Sequence, residues 1–143
     1  MMAPDDVGGA AGRLAAILGR DPRILLVYLF GSAVRRGAAR PRDLDVAILT
    51  TSPLSLDALV RLRADLVGET GAPVDLVSLN GAPIVLAHEI VESGVCLYAR
   101  TPDVEVDFVT RTRARYWDFE PYREAQWRLA GERLAERAGG PPA

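Results

Sequence analysis

No lysine occurs anywhere in the 143 residues, so all 17 basic side chains are arginine. That excludes lysine as nucleophile, Schiff-base former or general base, and leaves arginine, the better fork for phosphates and carboxylates. Cysteine is nearly absent: Cys96 alone cannot form an internal disulfide, which fits a reducing cytoplasm. Within the apolar run VCLYA it reads as a buried structural thiol rather than a nucleophile. The one histidine, His88 in LAHEIVES, reads as a surface or half-buried helix residue and not as a base, and Glu89 and Glu92 beside it read as solvated. The acidic, glycine-rich beginning carries no secretory signal, and no apolar run is long enough to span a bilayer. A formal net charge of −2 supplies no bulk attraction to nucleic acid or anionic lipid. These absences predict a cytoplasmic protein with no direct nucleic-acid partner and no membrane partner.

What is present is ordinary for a globular chain: 49% hydrophobic and 25% charged residues, with a length that suits one domain over 1–143. Asp5 or Asp6 can cap a helix ending at Gly19, with Leu14, Ile17 and Leu18 on one face. Residues 24–30 form a continuous apolar run of strand length, predicted to be buried on both faces. A short helical turn over 32–37 and a loop over 38–42 lead to a second strand at 44–50. Ser55 opens a helix over 56–67 with a leucine-rich stripe, and VDLVSL at 74–79 is a third strand. Pro83 suits the first turn of a helix through Glu92, and VCLYA at 95–99 is a fourth strand. From Pro102 to about Ala138 the pattern is helical, with Pro121 expected to break or kink it after Glu120. The expected fold class is α/β (α+β): a small mixed sheet with flanking helices and a C-terminal helical arm over 103–138. Tyr116, Trp117, Phe119, Tyr122 and Trp127 exceed what one helix face can bury, so the arm is expected to meet a partner.

The chemistry-bearing segment is LFGSAVRRGAARPRDLDVAIL, residues 29–49. A Gly31-Ser32 turn that opens a helix offers backbone N–H groups to a phosphate, and Gly31 lets it approach without a Cβ clash. Asp43 and Asp45 stand at i and i+2 on a strand, so they share a face with Cα atoms about 6–7 Å apart. Paired carboxylates of that spacing suit one or two divalent cations, and metal ions can clamp the attacking and leaving oxygens of nucleotidyl transfer. Asp75, inside an apolar run, is the candidate third carboxylate, to complete the clamp or take the acceptor proton. A carboxylate there is costly unless it meets a metal or a donor. Arg35, Arg36, Arg40 and Arg42 form a basic cluster beside the turn, a solvated loop singly but a phosphate contact as a group.

Gly31-Ser32, the ten intervening residues and Asp43-Leu44-Asp45 resemble the signature of the minimal nucleotidyltransferase (MNT) family of the DNA polymerase β-like superfamily. The segment from Asp107 to Gln126 resembles the C-terminal helix of MNT antitoxins, which pair with HEPN-domain RNase toxins. The resemblance implies an antitoxin that is a protein adenylyltransferase, moving AMP from ATP to a tyrosine hydroxyl of its HEPN partner with Mg²⁺, in a two-metal site. It implies Asp43, Asp45 and Asp75 as metal ligands and catalytic residues, and Gly31, Ser32, Arg35 and Arg36 as nucleotide-binding residues. Arg42 stands where many family members carry a small hydroxyl residue, which implies a more basic metal rim. Two other functions fit the same residues: neutralisation of the toxin by binding alone, and nucleotidyl transfer to a small aminoglycoside-like hydroxyl. The second sits poorly with a chain too short for a separate acceptor domain.

Overall fold

The computed structural model describes residues 9–31, 34 and 43–138. Helix α1 (Gly9–Gly19) leads into strand β1 (Ile24–Phe30), and strand β2 (Leu44–Thr50) follows. Helix α2 (Leu56–Thr70), strand β3 (Val74–Ser78), helix α3 (Ile84–Ser93), strand β4 (Val95–Ala99) and helix α4 (Pro102–Ala138) complete the chain. The expected cap at Asp5 or Asp6, and the turn and loop over 32–42 apart from Val34, lie outside the described residues.

The four strands form one mixed sheet in the order β3-β2-β1-β4. β1 is central and pairs antiparallel with β2 and β4, while β2 and β3 run parallel. Central position explains why Ile24–Phe30 is almost wholly apolar, as a strand covered on both faces must be. One face meets α1 and α2 through Leu14, Leu18, Val27, Leu29, Val46, Ile48, Leu62 and Leu66. The other meets α3 and α4 through Leu26, Tyr28, Ala47, Leu79, Ile90 and Val91, with Phe30, Leu49 and Phe108 packed against them. The alternation along β2 therefore assigns Asp45, with Ala47 and Leu49, to the α3/α4 face.

Element ends follow local chemistry. Ser55 caps α2 by accepting from the Ala58 N–H at 3.1 Å. Gly71, at φ +70°, closes the same helix with its N–H on the Val67 carbonyl, so the helix ends at Thr70, three residues beyond the Val67 end read from sequence. Pro83 is the residue before α3 rather than part of its first turn, with an extended ψ of 138°.

The break expected after Glu120 does not occur: α4 is one continuous helix of 37 residues that includes Pro121, roughly 55 Å at the helical rise. Proline at that position removes the bond to the carbonyl four residues back, that of Trp117. Both residues are solvent-exposed, so water can satisfy that carbonyl and the helix continues. Its first half is clamped to α3. The Tyr116 ring stacks on His88 with centroids 3.6 Å apart and planes 3° from parallel. Arg113 Nε donates to Glu92 Oε1 at 2.6 Å, so Glu92, read from sequence as merely solvated, is an inter-helix anchor. The Arg113 guanidinium holds the Glu92 carboxyl below the usual carboxylate range.

Candidate active site

Register, rather than sequence proximity, assembles the acidic row. Asp45 pairs with Phe30 of β1 on one side and with Asp75 of β3 on the other. Asp45 and Asp75 thus sit directly side by side on neighbouring strands, about 4.8 Å apart at the backbone. Both occupy the α3/α4 face, because Val74 and Leu76 alternate to the other face and Val77 to this one. Asp43, the residue before β2, shares that face by the period of the strand. All three carboxylates stand at the sheet end where β1 finishes and β2 and β3 begin.

Gly31 lies at the same end and is built for the contact it makes. Its φ is +77°, a left-handed conformation that side chains disfavour. A Cβ on it would collide with Asp45 Oδ2 and stand 3.0 Å from Asp45 Cγ. The Asp45 carboxylate therefore fills the space that any other residue at position 31 would occupy. The Gly31 carbonyl accepts from the Val34 N–H at 3.2 Å, the start of a tight turn out of β1. Ser32, Arg35 and Arg36, the other nucleotide-binding candidates, lie outside the described residues.

Asp43 and Asp75 are exposed and Asp45 is half-buried. The burial cost expected for Asp75 is not incurred, because β3 is an edge strand and its Asp75 faces solvent. Among the described residues no three His, Cys, Asp or Glu side chains are gathered closely enough to hold a metal ion by themselves. Asp43, Asp45 and Asp75 nevertheless present only hard oxygen donors from adjacent backbone positions. That donor set fits Mg²⁺, which binds through one or two carboxylates and takes its remaining ligands from phosphate and water.

The α3/α4 face also carries a feature that the sequence reading did not single out. Tyr28 pairs with Cys96 across β1 and β4, and the two line an open pocket of about 370 Å³ together with Val91, Glu105, Val109 and Arg113. Burial pushes the Cys96 thiol up to about 12, with the Glu105 charge adding to the shift, and burial likewise pushes the Tyr28 hydroxyl far above its ordinary value. A lone hydroxyl-bearing side chain in an otherwise hydrocarbon strand was the available signal. The inert thiol agrees with the structural reading of Cys96.

A mixed sheet with paired aspartates beside a glycine turn is the layout of a nucleotidyltransferase. The chain belongs to the polymerase beta nucleotidyltransferase family, whose profile, "Polymerase beta, Nucleotidyltransferase", matches residues 13–103. It is 33% identical over 104 residues to the protein adenylyltransferase MntA of Shewanella oneidensis, covering 73% of this chain and 74% of that protein. Among solved structures it resembles a chain of a toxin–antitoxin complex with AMP-PNP, at TM-score 0.73 and 27% identity, covering 83% of this chain and 96% of that one. It also resembles a chain of the tri-AMPylated S. oneidensis HEPN toxin in complex with its MNT antitoxin, at TM-score 0.70 and 28% identity, covering 83% and 93%. Among the described residues no helix is long and apolar enough to cross a membrane.

Proposed function

We propose that this chain is the antitoxin of a HEPN–MNT pair and disarms its partner by Mg²⁺-dependent transfer of AMP from ATP to a tyrosine hydroxyl of the HEPN toxin. The observation that carries this reading is the acidic row beside Gly31: Asp45 in register with Asp75, and a side-chain-free, left-handed backbone against the Asp45 carboxylate. The likeness to MntA and to solved toxin–antitoxin complexes supports the choice of acceptor.

In this reading Gly31 and Ser32, with Arg35 and Arg36, hold the triphosphate at the end of β1. Asp43 and Asp45 hold the metal, with Asp75 as third ligand. When bound, Mg²⁺ neutralises charge on the phosphoryl oxygens and the leaving oxygen. The tyrosine oxygen bonds to the α-phosphorus, the α–β bridging bond breaks, and pyrophosphate leaves with the electron pair. Asp75, solvent-exposed at the acceptor side of the row, takes the phenolic proton. The pair works in the cytoplasm, in keeping with a single protonated thiol.

The whole chain acts as one nucleotidyltransferase domain, and its arm over 103–138 binds the toxin. The family match ends at 103, where α4 begins, and α4 leaves Trp117, near its middle, and Trp127, in its distal half, about 70% exposed. The test is intact-mass spectrometry of the HEPN partner after incubation with this chain, ATP and Mg²⁺. One or more added AMP masses are expected, absent with Asp43→Asn/Asp45→Asn. No gain while the complex still forms would replace this reading with neutralisation by binding alone.

A further inference from the structure

We propose that the open edge of β3 is the acceptor-docking strand: an extended, tyrosine-bearing segment of the toxin pairs with it and so delivers its hydroxyl to the acidic row. The inference rests on the transfer reading above and adds the mode of substrate recognition. Leu44 N–H donates to the Pro73 carbonyl at 2.9 Å, and Leu79 N–H to the Ile48 carbonyl at 2.8 Å. With Asp45 opposite Asp75 in parallel register, these two bonds turn the backbone groups of the odd-numbered residues of β3 toward β2. The N–H and C=O groups of Val74, Leu76 and Ser78 therefore point away from the sheet.

One of those outward groups is taken. Arg63, on α2, donates Nε to the Val74 carbonyl at 2.7 Å. Among the described residues nothing bonds the outward N–H and C=O of Leu76. Edge strands are commonly blunted by proline, lysine or a bulge, and β3 (VDLVS) has none of these and pairs with β2 in unbroken register. The other sheet edge, β4, carries none of the acidic row, whereas β3 carries Asp75.

Geometry then selects the occupant. A strand added to β3 lies about 4.8 Å away, and its residue opposite Asp75 puts its side chain on the same face as Asp75. A tyrosine at that point shares the row with Asp75 and Asp45, and its ring projects over the α3/α4 face where the carboxylates stand. Main-chain pairing supplies affinity without demanding a particular flanking sequence, and the alternating side chains set the register. A helical acceptor segment could not use the outward Leu76 groups.

Amide exchange followed by NMR on the full-length chain, alone and mixed with purified HEPN toxin, Mg²⁺ and a non-hydrolysable ATP analogue, tests the proposal. Leu76 and Ser78 amides are expected to slow at least about tenfold on mixing, while those of Asp75 and Val77, already bonded to β2, stay as they were. In parallel, Leu76→Pro removes the outward N–H at a position where an edge strand accepts proline. It is expected to raise KM for the toxin roughly tenfold and leave KM for ATP unchanged. An unaltered Leu76 exchange rate in a mixture that transfers AMP when given ATP would overturn the docking mode and leave the transfer reading standing. Protection of Leu76 without any AMP gain would support the docking strand and overturn the transfer reading instead. Should Leu76→Pro fail to fold, the exchange data decide alone.

Discussion

At Gly31 one missing methyl group joins backbone conformation to the acidic row. Its φ of +77° disfavours a side chain, and the Asp45 carboxylate occupies the space where a Cβ would stand. Gly31→Ala is therefore expected to cost about 1–2 kcal/mol for the left-handed backbone alone. It should also displace Asp45, so that AMP transfer is lost even below the unfolding midpoint; urea denaturation and intact-mass assays read the two effects separately. Cys96 makes a second residue-scale prediction. Its thiol is raised by burial from 9.0 to about 12, so the folded state favours the protonated form. That contribution is complete below about pH 9 and is lost as pH rises toward 12. Wild type should thus lose more stability than Cys96→Ala across that window in urea melts, and iodoacetamide at pH 8 should label the thiol quickly only in the unfolded chain. Tyr28 is raised in the same direction by burial and by the Cys96 charge, so both proteins are compared in a Tyr28→Phe background.

Among the elements, α4 divides into two halves with different partners. Phe108, Thr112, Tyr116 and Phe119 succeed one another at helical spacing toward the body of the protein, where Tyr116 meets His88 and Arg113 meets Glu92. The stripe continues to Trp127, Ala130 and Leu134, and there Trp127 and Leu134 are exposed. Removing residues 121–143 is expected to leave the sheet and its thermal transition in place, since α4 meets the body through its first half. Toxin affinity should fall roughly tenfold or more, as loss of two or three large apolar anchors from an interface does; titration calorimetry measures it. Unchanged affinity would remove the arm from the interface. Most element types were legible here: the cap at Ser55 and the apolar run of β1 are local signals, whereas the helix that Ser55 opens runs to Thr70, past the Val67 end read from the sequence. Pro121 does not break α4, because the carbonyl it leaves without an intrahelical donor, that of Trp117, is open to water.

For the molecule as a whole, the sheet order β3-β2-β1-β4 turns four separate strands into a site. Asp43 and Asp45 could be paired from the sequence because strand side chains alternate with a period of two, a property of the backbone itself. The apolar runs, the helical stripes and the glycine at position 31 are likewise written in the order of residues, and with them the class of fold and the acid pair. That Asp75 stands beside Asp45 depends on α2 carrying the chain back to lay β3 parallel to β2 in one particular register, which only packing against α1 and α2 decides. The exposure of Asp75, the unused Leu76 groups and the projection of the distal α4 are of the same kind. Whether a strand is central or at an edge, and whether a helix face is covered, is a relation between segments far apart in the chain, and only the tertiary structure decided it.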